Sequence, residues 1–385
     1  MLVKIKKGIK DPVKALQYIV VFIKSMLISK PEEIFEVNSD FFIGTKTVAV
    51  CIGFNPWKRE YFRNYLPEYT CVFVKGETPS FVTIRALKRL NKSYEVFIWS
   101  YLESESVYQY CIKNQTILHR VEDGFIRSVG LGSDRTEPLS LVIDSDSLYF
   151  NPRTESDLER IVINRSGTYT EEELKYSRQM IDKLISKKIS KYNFIKKDLN
   201  IKSLINSEKE SILVIGQVED DMSIRLGYDG QITNLELLQL ARNENKDAMI
   251  FFKPHPDVLK GNRENKTPIE KYEKIAKIVP SEIGLHDIID MCSHIYTITS
   301  LSGFEALLRG KKVTCLGSPF YAQWGLTDDR CLLASRRKKY TLSIEELFYA
   351  AYIEYPIYKK GSLEDTIVEI ELLLDRSQES IANEN

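Results

Sequence analysis

The segment HIYTITSLSGFEALLRGKKVTCLG, residues 294–317, contains one complete strand–helix–strand pattern. Its apolar and β-branched start, HIYTITS (294–300), predicts a strand. SGFEALLRG has the apolar spacing of a helix that opens at Gly303 and ends at Gly310, and KKVTCLG (311–317) predicts a second strand. A strand, a helix and a strand in short succession form the repeating unit of a parallel sheet with helices on its faces.

The same alternation occurs along most of the chain and predicts two α/β halves. Further predicted strands are TVAVCIGF (47–54), YTCVFVK (69–75), SYEVFIWS (93–100), QTILHRV (115–121), SILVIGQ (211–217) and DAMIFFKP (247–254). LSLVIDSDSLYFN (139–151) predicts a hairpin around an Asp-Ser-Asp turn. Two Rossmann-like halves would present the carboxyl ends of their strands to a cleft, where ligands of open α/β sheets bind.

A length of 385 residues is large for one hydrophobic core and favours two domains. We expect a basic N-terminal segment (1–46), an N-terminal Rossmann-like domain (47–175), a helical connector (176–208), a C-terminal Rossmann-like domain (209–345) and C-terminal helices (346–385).

The composition excludes several classes of protein. Lys+Arg and Asp+Glu number 54 each, so no overall positive field favours binding to nucleic acid. The six cysteines lie far apart and form no C-x-x-C pair. This pattern predicts reduced thiols in a cytoplasmic protein rather than a zinc site or a disulfide framework.

Residues 1–30 are strongly basic, with seven lysines and one acidic residue. Their apolar stretch, ALQYIVVFIKSMLI, is too short to span a bilayer and is interrupted by Lys24. Two interpretations stay open: a helix packed on the body of the protein, or a basic amphipathic helix at the inner face of the cytoplasmic membrane.

Acidic and basic side chains follow two of the predicted strands in the second half. SILVIGQVEDDMSI places Glu219, Asp220 and Asp221 beyond a buried strand, where their mutual repulsion is costly unless they meet donors, a cation or a substrate. A solvated loop is the alternative. FFKPHPDV places Lys253 and His255 at the next strand end, and prolines on both sides of His255 restrict its backbone.

The start of the helix in the opening segment predicts an anion site. Ser300 and Ser302 lie where the strand turns into the helix, and free N–H groups, the helix dipole and hydroxyls together suit a phosphate. Simple N-capping by serine is the alternative. Glu305, in the first turn, would reach a ribose or complement the dipole.

The first half brings its own acidic pair to a strand end. RVEDGFIRSVGLGSD (120–134) places Glu122 and Asp123 before a glycine, and Arg120 and Arg127 flank them. GFNPWKRE (53–60) adds Lys58 and Arg59 after the first strand. Lys58 and Arg59 could contact an anionic sugar.

Several motifs are missing from the sequence. It has no G-x-x-x-x-G-K-[ST] phosphate loop, no complete dinucleotide fingerprint and no G-x-S-x-G elbow, which disfavours ATP, NAD and serine-hydrolase chemistry. The one D-x-D sequence, at 144–146, has the character of a turn, which disfavours a metal-dependent sugar-nucleotide enzyme.

The acid–acid–glycine, His-Pro and serine-pair motifs resemble, in order, those of bacterial sialyltransferases, which have the GT-B fold of two Rossmann-like domains facing a central cleft. The resemblance is closer to the bacterial capsule β-Kdo transferases, above all to the C-terminal module of the two-module enzyme that builds the poly-Kdo linker. It covers residues 47–330. The stretches that carry it are RVEDGFIRSVGLGSD, PLSLVIDSDSLYFNP, GQVEDDMSI, FFKPHPDV and TSLSGFEALLRGKKVTCLGSPFYAQWGLT.

The resemblance implies a retaining transferase with CMP-β-Kdo as donor and no metal. It implies Asp221 as the nucleophile and Glu122 or Asp123 as the base that deprotonates the acceptor. The implied candidates for binding the carboxylates of donor or acceptor are Arg120, Arg127, Lys58 and Arg59. The implied CMP-binding set, which includes His255 as a further catalytic residue, is Lys253, His255, Pro256, Ser300, Ser302, Gly303 and Glu305. Its partners would be the CMP-sugar and a surface-polysaccharide acceptor, for which a lipid-linked form is one option.

Three alternatives stay open at the level of sequence. The donor could be another CMP-activated ulosonic acid of the sialic, legionaminic or pseudaminic type. The transfer could be inverting, without an adduct. The chain could instead be a non-catalytic subunit of a capsule-export complex.

Overall fold

The computed structural model describes residues 33–384 except 38–40, 43, 77, 131–134, 194–208, 260 and 262–266, so the basic segment 1–30 lies outside the described residues. The chain forms two compact units, of which the first ends at Val121 and the second begins at Glu122. The predicted domain limits, including the helical connector at 176–208, stay predictions. Both units are α/β with parallel strands, as the alternating pattern predicted.

The first unit is a mainly parallel sheet with helices between its strands. Strand order is β1-β3-β2-β4-β5, with β1 antiparallel to β3. In chain order the elements are β1 (Phe35–Glu36), β2 (Val48–Ile52), α1 (Pro56–Tyr65), β3 (Thr70–Val74), α2 (Ser80–Arg89), β4 (Tyr94–Trp99), α3 (Glu105–Lys113) and β5 (Leu118–Asp123). The strands predicted from sequence in this half are confirmed.

The core of the first unit explains why these runs form strands. Val48, Val50, Val96 and Ile98 are fully buried and share a cluster with residues of α2 and α3. Such near-continuous apolar runs are typical of strands covered on both faces, which parallel sheets require. The helices begin at sequence signals, for example the Ser104 side chain, which accepts a hydrogen bond from the N–H of Val107.

The second unit contains a six-stranded sheet whose strands are all parallel. Its strand order is β11-β10-β9-β12-β13-β14. Two smaller pairings lie outside it: β7 with β15, antiparallel, and β6 with β8, parallel. Its strands are β6 (Ser128–Val129), β7 (Ser140–Asp144), β8 (Tyr192–Asn193), β9 (Ser211–Ile215), β10 (Met249–Lys253), β11 (Lys277–Ile278), β12 (His294–Thr297), β13 (Lys312–Cys315), β14 (Asp328–Asp329) and β15 (Ile357–Tyr358).

Helices cover the sheets of the second unit. They are α4 (Asp157–Arg165), α5 (Glu171–Ser186), α6 (Met222–Gly227), α7 (Asn234–Glu244), α8 (Pro256–Leu259), α9 (Ile269–Glu273), α10 (Leu285–Met291), α11 (Leu301–Leu308), α12 (Ile344–Phe348) and α13 (Leu363–Glu384). A 3₁₀ helix (Ser335–Lys339) and a π-helix (Tyr349–Glu354) complete the set. The opening segment thus folds as β12–α11–β13, although α11 begins at Leu301 rather than at the predicted Gly303.

A buried ion pair ties α4 to the 3₁₀ helix. Glu159 and Arg337 are both almost fully buried, and Arg337 Nη2 lies 2.9 Å from Glu159 Oε2. Arg337 also donates to the carbonyl oxygen of Pro319 at 2.8 Å, and Arg336 binds the same glutamate from a less buried position. Arg337 therefore links the carbonyl group of Pro319 to Glu159 of α4.

The predicted hairpin at 139–151 is wrong. Strand β7 ends at Asp144, no strand follows in 145–151, and β7 pairs instead with the distant β15. The reason is a local capping network: Asp144 Oδ1 accepts from the N–H of Asp157, and Ser145 donates from N and Oγ to the Asp157 carboxylate at 2.6 and 2.9 Å. The chain is therefore drawn to the start of α4 and does not turn back along β7.

Burial makes Asp144 a source of pH-dependent stability. Its side chain is fully buried, and burial raises the pKa of Asp144 from 3.8 to about 7, although hydrogen bonds from Tyr355 and Asp157 oppose the shift. A carboxyl group whose pKa is raised by folding stabilises the fold fully below 3.8, and this contribution is lost as the pH rises to about 7.

We therefore expect Asp144→Asn to gain free energy of unfolding relative to the wild type as the pH rises from 4 to 7, as measured by urea denaturation at several pH values. Asp146→Asn, at an exposed position two residues away, is the control. A difference between wild type and Asp144→Asn that stays constant over this range would mean that Asp144 does not titrate there.

Candidate active site

The carboxyl ends of three neighbouring strands supply most of the candidate residues of the second unit. In the sheet, β9 lies between β10 and β12, and its Ile215 is paired with Lys253 of β10. Val214 is likewise paired with Tyr296 of β12. Because the strands are parallel and in register, the loops beginning at 216, 254 and 298 leave the sheet side by side.

The Gln217 side chain joins the loop after β9 to the loop after β12. Its Oε1 accepts from the N–H of Thr299 at 2.8 Å, and its Nε2 lies 3.1 Å from Thr299 Oγ1. Its backbone N–H donates to Asn234 Oδ1 at 2.9 Å, which extends the network to the start of α7. The sequence analysis did not predict a role for Gln217, Asn234 or Thr299. The signal that could have found Gln217 is its position, since it is a polar residue that closely follows a buried strand.

The three acids of the EDD sequence have different environments. Glu219 Oε1 accepts from the N–H of Asn234 at 2.8 Å and so stabilises the start of α7. Asp220 is exposed and lies 4.0 Å from Arg225 Nη2. Asp221 is exposed and caps α6, its Oδ1 accepting from the N–H of Ser223 at 2.8 Å. Of the three, Asp221 is fixed in direction and still presents a carboxylate to solvent.

The loop after β10 positions Lys253 and His255. Lys253 Nζ donates to the carbonyl oxygens of Ile283 at 2.8 Å and Pro280 at 3.4 Å, and burial lowers the pKa of Lys253 to about 8. Pro256 starts the short helix α8, and His255 Nδ1 accepts from the N–H of Asp257 at 3.2 Å. A neutral imidazole that accepts at Nδ1 carries its proton on Nε2, where it can be donated to an anion.

The start of α11 shows both N-capping and close packing. Ser300 Oγ accepts from the N–H of Ser302 at 3.2 Å, so Ser300 is the N-cap. Gly303 is buried, and a Cβ there would lie 2.9 Å from Tyr321 Cζ and 3.0 Å from Thr297 Cγ2, which explains the glycine by packing. Glu305 is buried and accepts from the backbone N–H of Lys191 at 3.4 Å. Their predicted contacts with CMP stay predictions.

The acidic pair at the end of β5 divides into two different groups. Asp123 Oδ2 lies 3.0 Å from Nε of Arg127, which is fully buried and also donates to Ser128 Oγ and Thr136 Oγ1. Glu122 Oε1 accepts from the N–H of Asp123 at 3.0 Å. Asp123 thus balances a buried guanidinium, and the backbone fixes one carboxylate oxygen of Glu122.

Tyr149 is a buried phenol whose pKa responds to charges from three parts of the second unit. Burial raises the pKa of Tyr149 to about 12; the charge of Lys191 lowers it, and those of Glu122 and Asp221 raise it. Such charge effects require proximity. Two acids 99 positions apart in sequence therefore act on one hydroxyl group, with Lys191 beside them. Neither Tyr149 nor Lys191 was predicted as a site residue.

The basic candidates of the first unit have protein partners. Arg120 is buried, donates to Glu103 Oε1 at 2.7 Å and Ser100 O at 3.1 Å, and stacks on Tyr101. Arg59 Nη1 lies 2.5 Å from Glu36 Oε2, and Lys58 Nζ lies 3.2 Å from the centre of the Trp99 ring. Roles for these residues in holding a sugar carboxylate stay predictions.

The described part of the chain offers neither a cluster of metal ligands nor a membrane-spanning helix. It contains no group of three or more His, Cys, Asp or Glu side chains that could hold a metal ion. Within the same residues, none of the helices combines the length and apolarity needed to cross a membrane. The basic segment 1–30 lies outside the described residues, and its predicted membrane contact stays a prediction.

Comparison with known proteins identifies the family. The model of the family described as capsule polysaccharide biosynthesis protein matches residues 95–358. The chain belongs to this family. It is 38% identical to the lipopolysaccharide-processing protein LpsZ of Rhizobium meliloti over 83% of this chain and 71% of that protein. It is also 38% identical to the capsule polysaccharide modification protein LipA of Neisseria meningitidis serogroup B, over 80% of this chain and 42% of LipA.

Solved structures support the same assignment of this capsule-family chain. It is similar to the β Kdo 2,4 transferase of Thermosulfurimonas dismutans KpsC, with 32% identity and a TM-score of 0.70, over 85% of this chain and 98% of that one. The chain is also similar to the β Kdo 2,7 transferase of the same KpsC, with 28% identity and a TM-score of 0.64. This match covers 85% of this chain and 99% of that one. The resemblance to capsule β-Kdo transferases expected from the motifs is confirmed.

The Gln217 network should contribute measurably to stability. Gln217→Ala removes the acceptor of the Thr299 N–H and leaves that buried group unsatisfied, at a cost of about 1–3 kcal/mol in the free energy of unfolding. Gln239→Ala, on the exposed face of α7, is the control. Urea denaturation measures both, and equal stabilities for the two variants would contradict the role of Gln217.

Proposed function

We propose that the protein is a retaining glycosyltransferase that moves β-Kdo from CMP-β-Kdo to a surface-polysaccharide acceptor. The observation that carries the proposal is the carboxylate of Asp221, which follows a buried strand, is held by the N–H of Ser223 at 2.8 Å and faces solvent. The similarity to the two KpsC β-Kdo transferases supports the choice of sugar and reaction. The two-domain GT-B arrangement expected from the sequence is part of this proposal.

In the first step, Asp221 is the nucleophile. Its carboxylate forms a bond to the anomeric carbon of Kdo while the bond from that carbon to the phosphate oxygen breaks, and CMP leaves with the electron pair. The N–H of Ser223 holds Oδ1 of Asp221 at 2.8 Å, which orients Oδ2 for attack. The product is a sugar joined to the protein through an ester, with inverted configuration.

In the second step, Glu122 is the base. It accepts the proton of the acceptor hydroxyl as that oxygen attacks the anomeric carbon and the ester to Asp221 breaks. The second inversion restores the original configuration, so the transfer is retaining. Glu122 is preferred over Asp123 because Asp123 is paired with the buried Arg127, and protonating it would leave that charge unbalanced.

The departing CMP is assigned to the strand-end loops. His255 Nε2 and the hydroxyl of Ser300 donate to its phosphate, with Ser302 and the start of α11 beside them and Lys253 adding positive charge. Glu305 is assigned to the ribose. These donors replace a metal ion in the proposal, because the leaving group is a monophosphate.

The proposed place of action is the cytoplasm, at the inner face of the membrane if segment 1–30 binds there. The membership in the capsule polysaccharide biosynthesis family supports an acceptor of the capsule or O-antigen type.

The test is the mass of the intact protein after exposure to CMP-β-Kdo. Glu122→Gln should accumulate a mass gain of one ulosonyl unit, because the first step needs no base and the second is slowed by about 10²–10⁴-fold. Asp221→Asn should show no gain and no transfer to an acceptor.

Asp220→Asn is the matched control for this experiment, because it removes the adjacent, exposed carboxylate and should behave as the wild type. An adduct on Asp221→Asn, or activity equal to the wild type, would refute the assignment of the nucleophile. Adduct formation from CMP-sialate and not from CMP-β-Kdo would keep the mechanism and change the sugar.

A further inference from the structure

The backbone of Lys191 is fixed between two parts of the candidate site. Its carbonyl oxygen accepts from the N–H groups of Arg127 at 3.0 Å and Ser128 at 3.2 Å. Its own N–H donates to Glu305 Oε1 at 3.4 Å. Lys191 therefore links the segment after the acidic pair to the helix that begins at Ser300.

The side chain of Lys191 lies in an acidic and phenolic environment. Burial opposes its charge, but the pKa of Lys191 is raised overall by Tyr149, Tyr192, Asp123 and Glu122. Its Nζ lies 5.9 Å from the centre of the Tyr192 ring. An ammonium group in this position stays charged, and it carries three hydrogen-bond donors.

The donors of Lys191 are not used by the described part of the chain. Within the described residues, no side chain or carbonyl accepts a hydrogen bond from Lys191 Nζ, and no carboxylate lies within 4.0 Å of it. The neighbouring Lys188, by contrast, forms an ion pair with Asp287 at 2.6 Å. The ammonium group of this half-buried lysine can therefore donate to a bound anion.

Arg127, one of the residues expected to hold a sugar carboxylate, is too deeply buried for a ligand to reach it. Arg127 donates to Asp123, Ser128 and Thr136, and it has no exposed surface. Lys191 lies close enough to Glu122 and Asp123 for their charges to act on it. Its flexible stem allows Nζ to follow a ligand, unlike the rigid fork of an arginine.

We infer that Lys191 Nζ binds the carboxylate of the acidic sugar and so selects ulosonic acids over neutral sugars. The inference rests on the proposed function, which puts such a sugar between Asp221 and Glu122. The carboxylate belongs to the donor or to the acidic end of the acceptor. Either way, one charge-assisted hydrogen bond distinguishes the acid from its uncharged analogue.

The test compares each substrate with its carboxamide analogue, in which the sugar carboxylate is replaced by an amide. The wild type should prefer the carboxylate by about 10- to 100-fold in kcat/KM, and Lys191→Met should lose this preference. Lys191→Arg should keep part of it. Lys187→Met, which removes an exposed lysine paired with Glu371, is the control.

The source of the carboxylate follows from which substrate is affected. If Lys191→Met loses the preference for the carboxylate over the carboxamide with donor analogues, Lys191 binds the donor. The same loss should then be seen when the donor is hydrolysed without an acceptor. Loss with acceptor analogues alone assigns it to the acceptor. The inference would be overturned if Lys191→Met is slower than the wild type but keeps the full preference for the carboxylate in both substrates. Loss of a purely structural lysine would lower the rate without changing that preference.

Failure of the proposed function gives a different result from failure of the inference. If the wild type transfers nothing from any CMP-ulosonate, calorimetric titration with free Kdo and its carboxamide replaces kinetics. Carboxylate-dependent binding to the wild type that Lys191→Met lacks would retain the role of Lys191. Equal binding to both proteins, or none to the wild type, would overturn it.

Discussion

The hydrogen bonds between Gln217 and Thr299 hold together the region on which the proposed chemistry depends. Parallel pairing of β9 with β10 and β12 brings three strand ends to one edge, but each strand continues as a separate loop. The Gln217 carboxamide bonds to Thr299 through both its oxygen and its nitrogen, and Thr299 Oγ1 lies 3.3 Å from Ser223 Oγ. Asp221 caps the helix that contains Ser223, so its carboxylate and the Ser300 cap are fixed relative to each other.

Much of this arrangement could be predicted from the sequence. The long strands of the two main sheets are runs of apolar or β-branched residues, such as VAVCI and SILVI. Short runs of this kind are typical of strands that are buried on both faces of a sheet. The strand-end rule then selects the loops that contain Asp221, His255 and Ser300. Boundaries were less certain, because α11 starts at the serine cap and not at the glycine that follows it.

Side-chain partners could not be predicted in the same way. The roles of Arg127 and Lys191 are decided by contacts between residues 127, 136, 191 and 305, which are distant in sequence. Both are basic residues, yet Arg127 is buried and paired with Asp123, whereas Lys191 is half-buried and is fixed through its backbone. The prediction of a hairpin at 139–151 failed for a similar reason. The Asp144 carboxylate accepts a hydrogen bond from the N–H of Asp157, which lies 13 residues further along the chain.

The configuration of the product tests the central claim, that Asp221 and Glu122 act in turn on one anomeric carbon. The protein would be incubated with CMP-β-Kdo and a defined acceptor, and the new glycosidic linkage assigned by NMR. Two successive inversions predict a β-linked product. An α-linked product would mean a single displacement, in which Asp221 forms no bond to the sugar, and would contradict the account.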